Sequence, residues 1–181
     1  MLKARPLTGT AELRREIEAI RHRHCFQRPL PTDAREKVQA MRGSLYQAAV
    51  DEKGKQPFDI KAHRGGLLDI EFMVQWAQLS RQTEDLEGRS TFALLRHLVG
   101  EEAWSGLDGD YRWLRRLELR LGIAGQGRQL PSTRRKRESL ARQMGLQGED
   151  VVEQFDRQLQ RIRQRVQRAW RSVIGPGEGA R

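Results

Sequence analysis

The feature that most restricts the fold is a run of apolar residues near the C-terminal end, spaced alternately by three and four positions. The run comprises Val152, Phe155, Leu159, Ile162, Val166, Ala169 and Val173. Heptad-like spacing of this kind puts every side chain on one face of an α-helix. The opposite face carries Arg157, Arg161, Arg165 and Arg168. The pattern predicts one long helix, from about Glu149 to Ile174, with one face against a core.

The six prolines of the 181-residue chain all fall between periodic segments. Proline has no amide proton to donate within a helix, so these positions indicate the boundaries between helices. Between them the spacing of apolar residues predicts further helices, which are about Ala11–Cys25, Asp33–Val50, Leu67–Arg81, a segment after Ser90 that reaches Val99, Asp108–Ile123, and a short basic helix that Ser132 caps and that ends at Met144. The polar stretch 51–56 is expected to end a hairpin formed by the first two helices. We therefore expect an all-α helical bundle with a long C-terminal helix.

Local signals refine this expectation. Thr10 is a plausible N-cap, and Asp33 with Glu36 has the spacing of a capping box. Leu13, Ile17, Ile20 and His24 are expected to line one face of the first helix. The third helix is apolar around most of its circumference, which is typical of a central, buried helix.

Little β-structure is predicted, at most a short β-hairpin near residues 57–62. We expect one domain over residues 1–174 and a disordered, glycine-rich tail over residues 175–181.

The charge balance points to an anionic partner. The formal net charge is +10 and the pI is about 10.7. The single cysteine, Cys25, cannot form an internal disulfide, which favours a reducing compartment. No apolar run is long enough to span a bilayer and no signal peptide is visible, so we expect a soluble, cytoplasmic protein.

A glycine pair flanked by cations is one candidate site. Lys61, Arg64, Gly65 and Gly66 precede the predicted third helix, with His63 beside them. The N-terminus of a helix carries unpaired amides and partial positive charge, so this segment could hold a phosphate. The competing interpretation is a tight turn that packs the third helix, because the spacing is not that of a P-loop.

Carboxylates occur in pairs two residues apart, at Asp69 and Glu71 and at Asp108 and Asp110. Positions two apart diverge on a helix, so capping or ion pairing is favoured over magnesium binding. His22 and His24 likewise do not converge on one metal. Neither catalytic nor metal-ligating residues are assigned in this chain.

Basic residues cluster in the sixth predicted helix and continue onto the arginine face of the last one. The cluster comprises Arg134, Arg135, Lys136, Arg137 and Arg142. A stripe of arginines can bind nucleic-acid phosphates, but no aromatic residues are interleaved for base stacking. A solvated face is favoured over a nucleic-acid site.

The segment from Phe58 to Gln75, FDIKAHRGGLLDIEFMVQ, resembles the "FDxK…GGIxDIEFxxQ" block of bacterial glutamine synthetase adenylyltransferases. His63 and Arg64 depart from the usual residues of that block. Val38–Arg42 is similar to the family's "VxxMR", Tyr111–Glu118 to its "aYxfLRrlE", and Leu130–Gly145 to its "LP…LAxxMG". The resemblance extends over nearly the whole chain.

The resemblance implies that this is the helical domain that follows a nucleotidyltransferase domain, in the AMP-adding C-terminal half of the enzyme. It implies ATP and magnesium for the parent enzyme, no cofactor in this chain, and no activity of this chain alone. Glutamine synthetase, the PII signal protein and the upstream nucleotidyltransferase domain are the implied partners. Lys61, Arg64, Gly65 and Gly66 are expected to approach the nucleotide phosphates.

Two other hypotheses stay open. One is a free-standing basic helical protein that binds nucleic acid. The other is the helical domain of a uridylyltransferase for PII, which the Asp-Ile-Glu-Phe core at residues 69–72 disfavours.

Overall fold

The computed structural model describes residues 2–50, 57–81, 90–98 and 101–175. Within these ranges the secondary structure is helical: α1 Ala11–Phe26, α2 Ala34–Ala49, α3 Leu67–Ser80, α4 Thr91–Leu98, a 3₁₀ helix Glu102–Trp104, α5 Leu107–Ile123, α6 Arg134–Gln143 and α7 Val151–Val173. The predicted all-α class is confirmed. The 3₁₀ helix was not predicted, because three residues are too few to show periodicity. Residues 51–56, Val99 and the tail from 176 lie outside the described residues, and the predicted domain bounds stay a prediction.

The long helix α7 forms one side of the core, and the apolar residues of the run Val152–Val173 face that core, as their spacing predicts. Val152, Phe155, Leu159, Ile162, Val166 and Ala169 are buried and Val173 is half-buried. The helix packs mainly against α3, α6 and the 3₁₀ helix. A side chain every three to four residues therefore contacts the core along nearly the full length of α7.

Helices α3 and α5 complete the core. Ile70, Met73 and Val74 of α3 are buried, which confirms α3 as a central helix. Helix α5 buries a stripe of apolar residues spaced by three and four positions, which comprises Leu107, Tyr111, Leu114, Leu117 and Leu121.

Helix starts follow the sequence signals only in part. The hydroxyl of Thr10 accepts the N–H of Leu13 at 3.3 Å, as an N-cap does. Ser132 does not cap α6, which begins at Arg134 with Thr133 at the N-cap position. The Asp33 side chain makes no cap hydrogen bond and lies 2.9 Å from Lys37 Nζ instead, so the predicted capping box is wrong.

The apolar face predicted for α1 is largely exposed to solvent. Leu13 and Ile20 are 48% and 47% exposed, whereas Arg21, Cys25 and Phe26 are buried. Only the last turns of α1 therefore contact the body of the molecule.

In place of a β-hairpin near residues 57–62, one isolated antiparallel bridge joins Asp59 to Gln129. The amide of Ile60 donates to Arg128 O, and the amide of Leu130 donates to Phe58 O, both at 3.0 Å. The extended stretch before α3 is thus fixed to the loop between α5 and α6. None of the helices in the described part of the chain is both long enough and apolar enough to cross a membrane.

Candidate functional site

The turn that leads into α3 is organised by Asp59. Its Oδ1 accepts the amides of Lys61 and Ala62, both at 2.8 Å. Its own amide donates to His63 Nδ1 at 3.0 Å. Burial lowers the pKa of the His63 imidazole, which favours the neutral ring that can accept this proton. Residues 59–63 are therefore held in one conformation by short-range hydrogen bonds.

The two glycines of the predicted phosphate site permit close packing. Gly65 has φ +79°, and a Cβ there would lie 2.8 Å from the Cα and the carbonyl oxygen of Arg163 in α7. A Cβ on Gly66 would lie 2.5 Å from the carbonyl oxygen of Ile60. Both distances are far below van der Waals contact, so side chains at these positions would push α3 away from α7 and from the preceding turn. This arrangement fits the tight-turn interpretation.

The backbone amides at this turn already have acceptors within the chain. Gly65 N donates to Asp69 Oδ2 at 2.5 Å. The next three amides, of residues 66–68, donate to the carbonyl oxygens of His63, Ile60 and Lys61 at 3.0–3.1 Å. An anion at this turn would consequently be held by side chains rather than by the helix N-terminus.

The side chains of Lys61 and Arg64 contact different elements. Lys61 Nζ lies 3.9 Å from Glu71 Oε2 in α3. The guanidinium of Arg64 lies 5.0 Å from the ring centroid of Tyr46 in α2. Both side chains are half-buried, so they retain some solvent access. Their approach to a phosphate stays a prediction.

A buried ion pair joins this turn to α2. Arg42 Nε donates to Asp69 Oδ1, and Arg42 Nη2 donates to His63 O at 3.1 Å. Burial raises the pKa of the Asp69 carboxyl, and the charge of Arg42 and the Gly65 amide oppose that shift. Sequence reasoning missed this pair. The available signal was that two residues of opposite charge both lie in segments that carry the family resemblance.

The two carboxylates of each predicted pair contact different cations. Glu71 faces Lys61, Asp108 lies 3.4 Å from Arg112 Nη2, and Asp110 lies 3.5 Å from Arg165 Nε. Each carboxylate of a pair has a different cation, as expected for ion pairing. Within residues 2–50, 57–81, 90–98 and 101–175, no three His, Cys, Asp or Glu side chains cluster as metal ligands would.

The Asp110 carboxyl has a raised pKa. Its side chain is buried beside α7, and burial raises the pKa of its carboxyl to about 6, against the opposing charge of Arg165. The Arg165 guanidinium passes over Gly106, where a Cβ would come within 2.2 Å of Nη1. The start of α5 is therefore tied to α7 by one charged contact.

Much of the basic surface of α6 and α7 is compensated by nearby acids. The ion pairs are Arg134–Glu153 at 2.7 Å, Arg137–Asp156 at 2.9 Å, Arg142–Glu138 at 2.9 Å and Arg157–Asp150 at 3.3 Å. Arg135 and Lys136 are exposed between them. Alternating charge of this kind suits a solvated face better than a continuous phosphate track. At the end of α1, Cys25 is buried, and the centroid of the His22 ring lies 5.8 Å from that of the Phe26 ring.

Comparison with known proteins places these features in a family context. A family model described as GlnD PII-uridylyltransferase matches residues 32–174. The bifunctional glutamine synthetase adenylyltransferase/adenylyl-removing enzyme of Thioalkalivibrio sulfidiphilus is 31% identical over an alignment of 188 residues, which covers 99% of this chain and 19% of the relative. The enzyme of the same description from Mycobacterium tuberculosis is 37% identical over 135 residues, covering 68% of this chain and 13% of the relative. The chain thus spans about a fifth or less of the length of these relatives.

Proposed function

Because this chain belongs to the GlnD PII-uridylyltransferase family and aligns with glutamine synthetase adenylyltransferases across most of its length, we propose that it is a non-catalytic helical module of a nucleotidyltransferase that acts on glutamine synthetase. The parent enzyme would attach AMP from ATP to glutamine synthetase and remove it again, in the cytoplasm. ATP and magnesium would be bound by a separate nucleotidyltransferase domain.

The observation that carries this proposal is the structural role of the segment Phe58–Gln75, which carries the family resemblance. The carboxylate of Asp69 accepts hydrogen bonds from Arg42 and from the Gly65 amide. Gly65 packs closely against α7, and Gly66 packs against the carbonyl oxygen of Ile60. These residues hold α2, α3 and α7 together, and both carboxylate oxygens of Asp69 are used within the chain. Such a block supports a catalytic neighbour structurally and does not itself supply reactive groups.

Lys61 and Arg64 are proposed to add positive charge where the neighbouring domain binds nucleotide phosphates. Both retain partial solvent access, and neither is locked into a short ion pair. Glutamine synthetase and the PII signal protein are proposed as the partners of the assembled enzyme.

The test is AMP transfer from labelled ATP to glutamine synthetase. It compares this chain alone with a hybrid polypeptide, in which this chain replaces the aligned segment of the Thioalkalivibrio sulfidiphilus relative. We expect transfer by the hybrid and none by the chain alone. Transfer by the chain alone, or an inactive hybrid beside an active unmodified relative, would refute the proposal.

A second candidate follows from the description of the family model, which names a PII-uridylyltransferase. The module would then serve an enzyme that transfers UMP to PII. The alignment over 99% of the chain with an adenylyltransferase favours the first candidate. Running the hybrid assay with labelled UTP and PII in parallel discriminates between the two.

A nucleic-acid-binding protein is the remaining alternative. If the chain were such a protein, its affinity for random oligonucleotides would persist at physiological salt. Non-specific attraction of oligonucleotides to a basic surface instead weakens as the salt concentration rises. We expect the affinity to be lost by about 150 mM salt, which fluorescence anisotropy measures directly.

A further inference from the structure

The N-terminal half of α1 projects from the rest of the molecule. From Ala11 to Ile20 every side chain is exposed except Ile17 and Glu18, which are half-buried. Burial begins only at Arg21 and continues at Cys25 and Phe26. More than two turns of helix therefore have little support from the body of the chain.

This projecting segment is amphipathic. Leu13, Ile17 and Ile20, here named the α1 stripe, are spaced by four and three residues and share one helix face. Leu7, just before the helix, is 80% exposed. A helix of this length is marginal in water when its apolar face is not packed, so a covered stripe would stabilise it considerably.

Helix α2 contacts the body mainly through polar side chains, besides the apolar contact of Val38 with the core. Arg35 Nη1 and Gln39 Nε2 donate to the carbonyl oxygen of Ile174 at 2.9 and 3.2 Å, and Arg42 pairs with Asp69. Met41 and Leu45 of α2 remain exposed. Each N-terminal helix thus buries one arginine, Arg21 or Arg42, while two of its large apolar side chains are exposed. Exposed apolar side chains grouped in this way are typical of a surface that contacts a partner.

The length of the relatives indicates what would cover this surface. This chain aligns over 99% of its length with only 19% of the Thioalkalivibrio sulfidiphilus enzyme, so most of that polypeptide lies outside the aligned segment. Domains linked in one polypeptide meet at high effective concentration, and a small apolar stripe is then sufficient for stable contact. A separate protein or a second copy would need a larger surface to bind as tightly.

We propose that the α1 stripe is the surface through which this module packs against another folded domain of the same longer polypeptide, one that offers a complementary apolar face. The inference rests on the proposed function in one respect, that the module operates within a larger enzyme. It goes beyond that function in naming the side chains that make the contact.

Hydrogen exchange of α1 amides tests the proposal, in this chain and in the hybrid polypeptide. We expect fast exchange over residues 14–20 in the chain alone and at least about tenfold slower exchange in the hybrid. In the hybrid, Leu13→Glu with Ile20→Glu should restore fast exchange. Ala19→Glu, an exposed position on the same helix but off the stripe, should leave the protection unchanged.

Each alternative result overturns the proposal. Equal exchange in both polypeptides would show that no other domain covers the stripe. Protection in the chain alone that grows with protein concentration, together with a dimer in sedimentation, would assign the stripe to a second copy. Loss of protection in Ala19→Glu as well would mean that any charge disrupts the helix.

The exchange readout does not depend on AMP transfer. A protected stripe in an inactive hybrid would refute the proposed function alone, and an unprotected stripe in an active hybrid would refute this inference alone.

Discussion

The guanidinium of Arg42 on α2 and the carboxylate of Asp69 on α3 form an ion pair that is almost completely withdrawn from solvent, at 2% and 3% exposure. Asp69 also accepts the amide of Gly65, and Arg42 also donates to the carbonyl of His63. The pair thus links α2, the glycine turn and the start of α3. Two charges removed from water are stable only while both are present.

Removing one partner of this ion pair should lower the free energy of unfolding. Arg42→Met leaves the Asp69 carboxylate buried beside an apolar side chain, and we expect unfolding free energy to fall by about 3–5 kcal/mol. Urea denaturation followed by circular dichroism gives the value. Adding Asp69→Asn removes the unpaired charge and keeps an acceptor for Gly65, so the double variant should recover at least about 1 kcal/mol. A loss below about 1 kcal/mol in Arg42→Met would contradict the buried pair, because that is the value of an exposed one.

Asp110 should make stability depend on pH in mildly acidic solution. Its pKa is raised from 3.8 to about 6 in the folded chain. Between these values the folded state holds more protons at this site than the unfolded state, so stability falls as pH rises through the window and is level above it. We expect a contribution of about 1–3 kcal/mol across the interval.

The measurement is the difference between the original chain and Asp110→Asn in thermal unfolding from pH 4 to pH 7. The variant cannot titrate at this position, so its own curve should lack the fall that the original chain shows. A constant difference between the two proteins across the window would contradict a raised pKa at Asp110.

Gly65→Ala should destabilise the junction of α3 and α7. The residue has φ +79°, and the new Cβ would lie 2.8 Å from the Arg163 backbone, which cannot move without shifting α7. Left-handed backbone strain and overpacking together should lower the unfolding free energy by about 2–4 kcal/mol. Gly125→Ala is the matched control, since Gly125 also has positive φ, at +68°, but open space around it. It should show only the backbone strain, about 1 kcal/mol, and equal losses in both variants would exclude the close approach to α7.

The sequence predicts those parts of the fold in which burial follows local periodicity. The seam of α7 and the stripe of α5 are examples, because each apolar residue that repeats every three or four positions contacts the core. The same rule fails for α1, where Leu13 and Ile20 face outward and Arg21 is buried. Periodicity identifies an apolar face, but it does not determine whether the chain itself or another domain covers that face.

The turn before α3 also shows what local sequence patterns cannot predict. The cations and glycines before α3 were recognised from sequence, yet the partners that define their surroundings lie far away along the chain. Arg42 is 27 positions from Asp69, and Gly65 packs on Arg163 of α7. Contacts between distant segments have no local signature. The sequence therefore offered a packing turn as one interpretation of the glycines, but it could not identify α2 and α7 as the helices that this turn contacts.

Lys61 provides the most direct test of the proposed phosphate approach. Its Nζ lies 3.9 Å from Glu71, too far for a strong hydrogen bond, and its side chain is 28% exposed. In the hybrid polypeptide, Lys61→Gln should raise the KM for ATP by about five- to tenfold, the value of one partly solvated charge-assisted contact. Arg135→Gln removes the same charge from an exposed position on α6 and serves as the control.

The two variants should unfold at similar urea concentrations, because neither side chain is part of the core. Steady-state AMP transfer to glutamine synthetase at varied ATP concentrations gives kcat and KM separately. An unchanged KM in Lys61→Gln, or an equal rise in both variants, would show that Lys61 acts only through the general charge of the module.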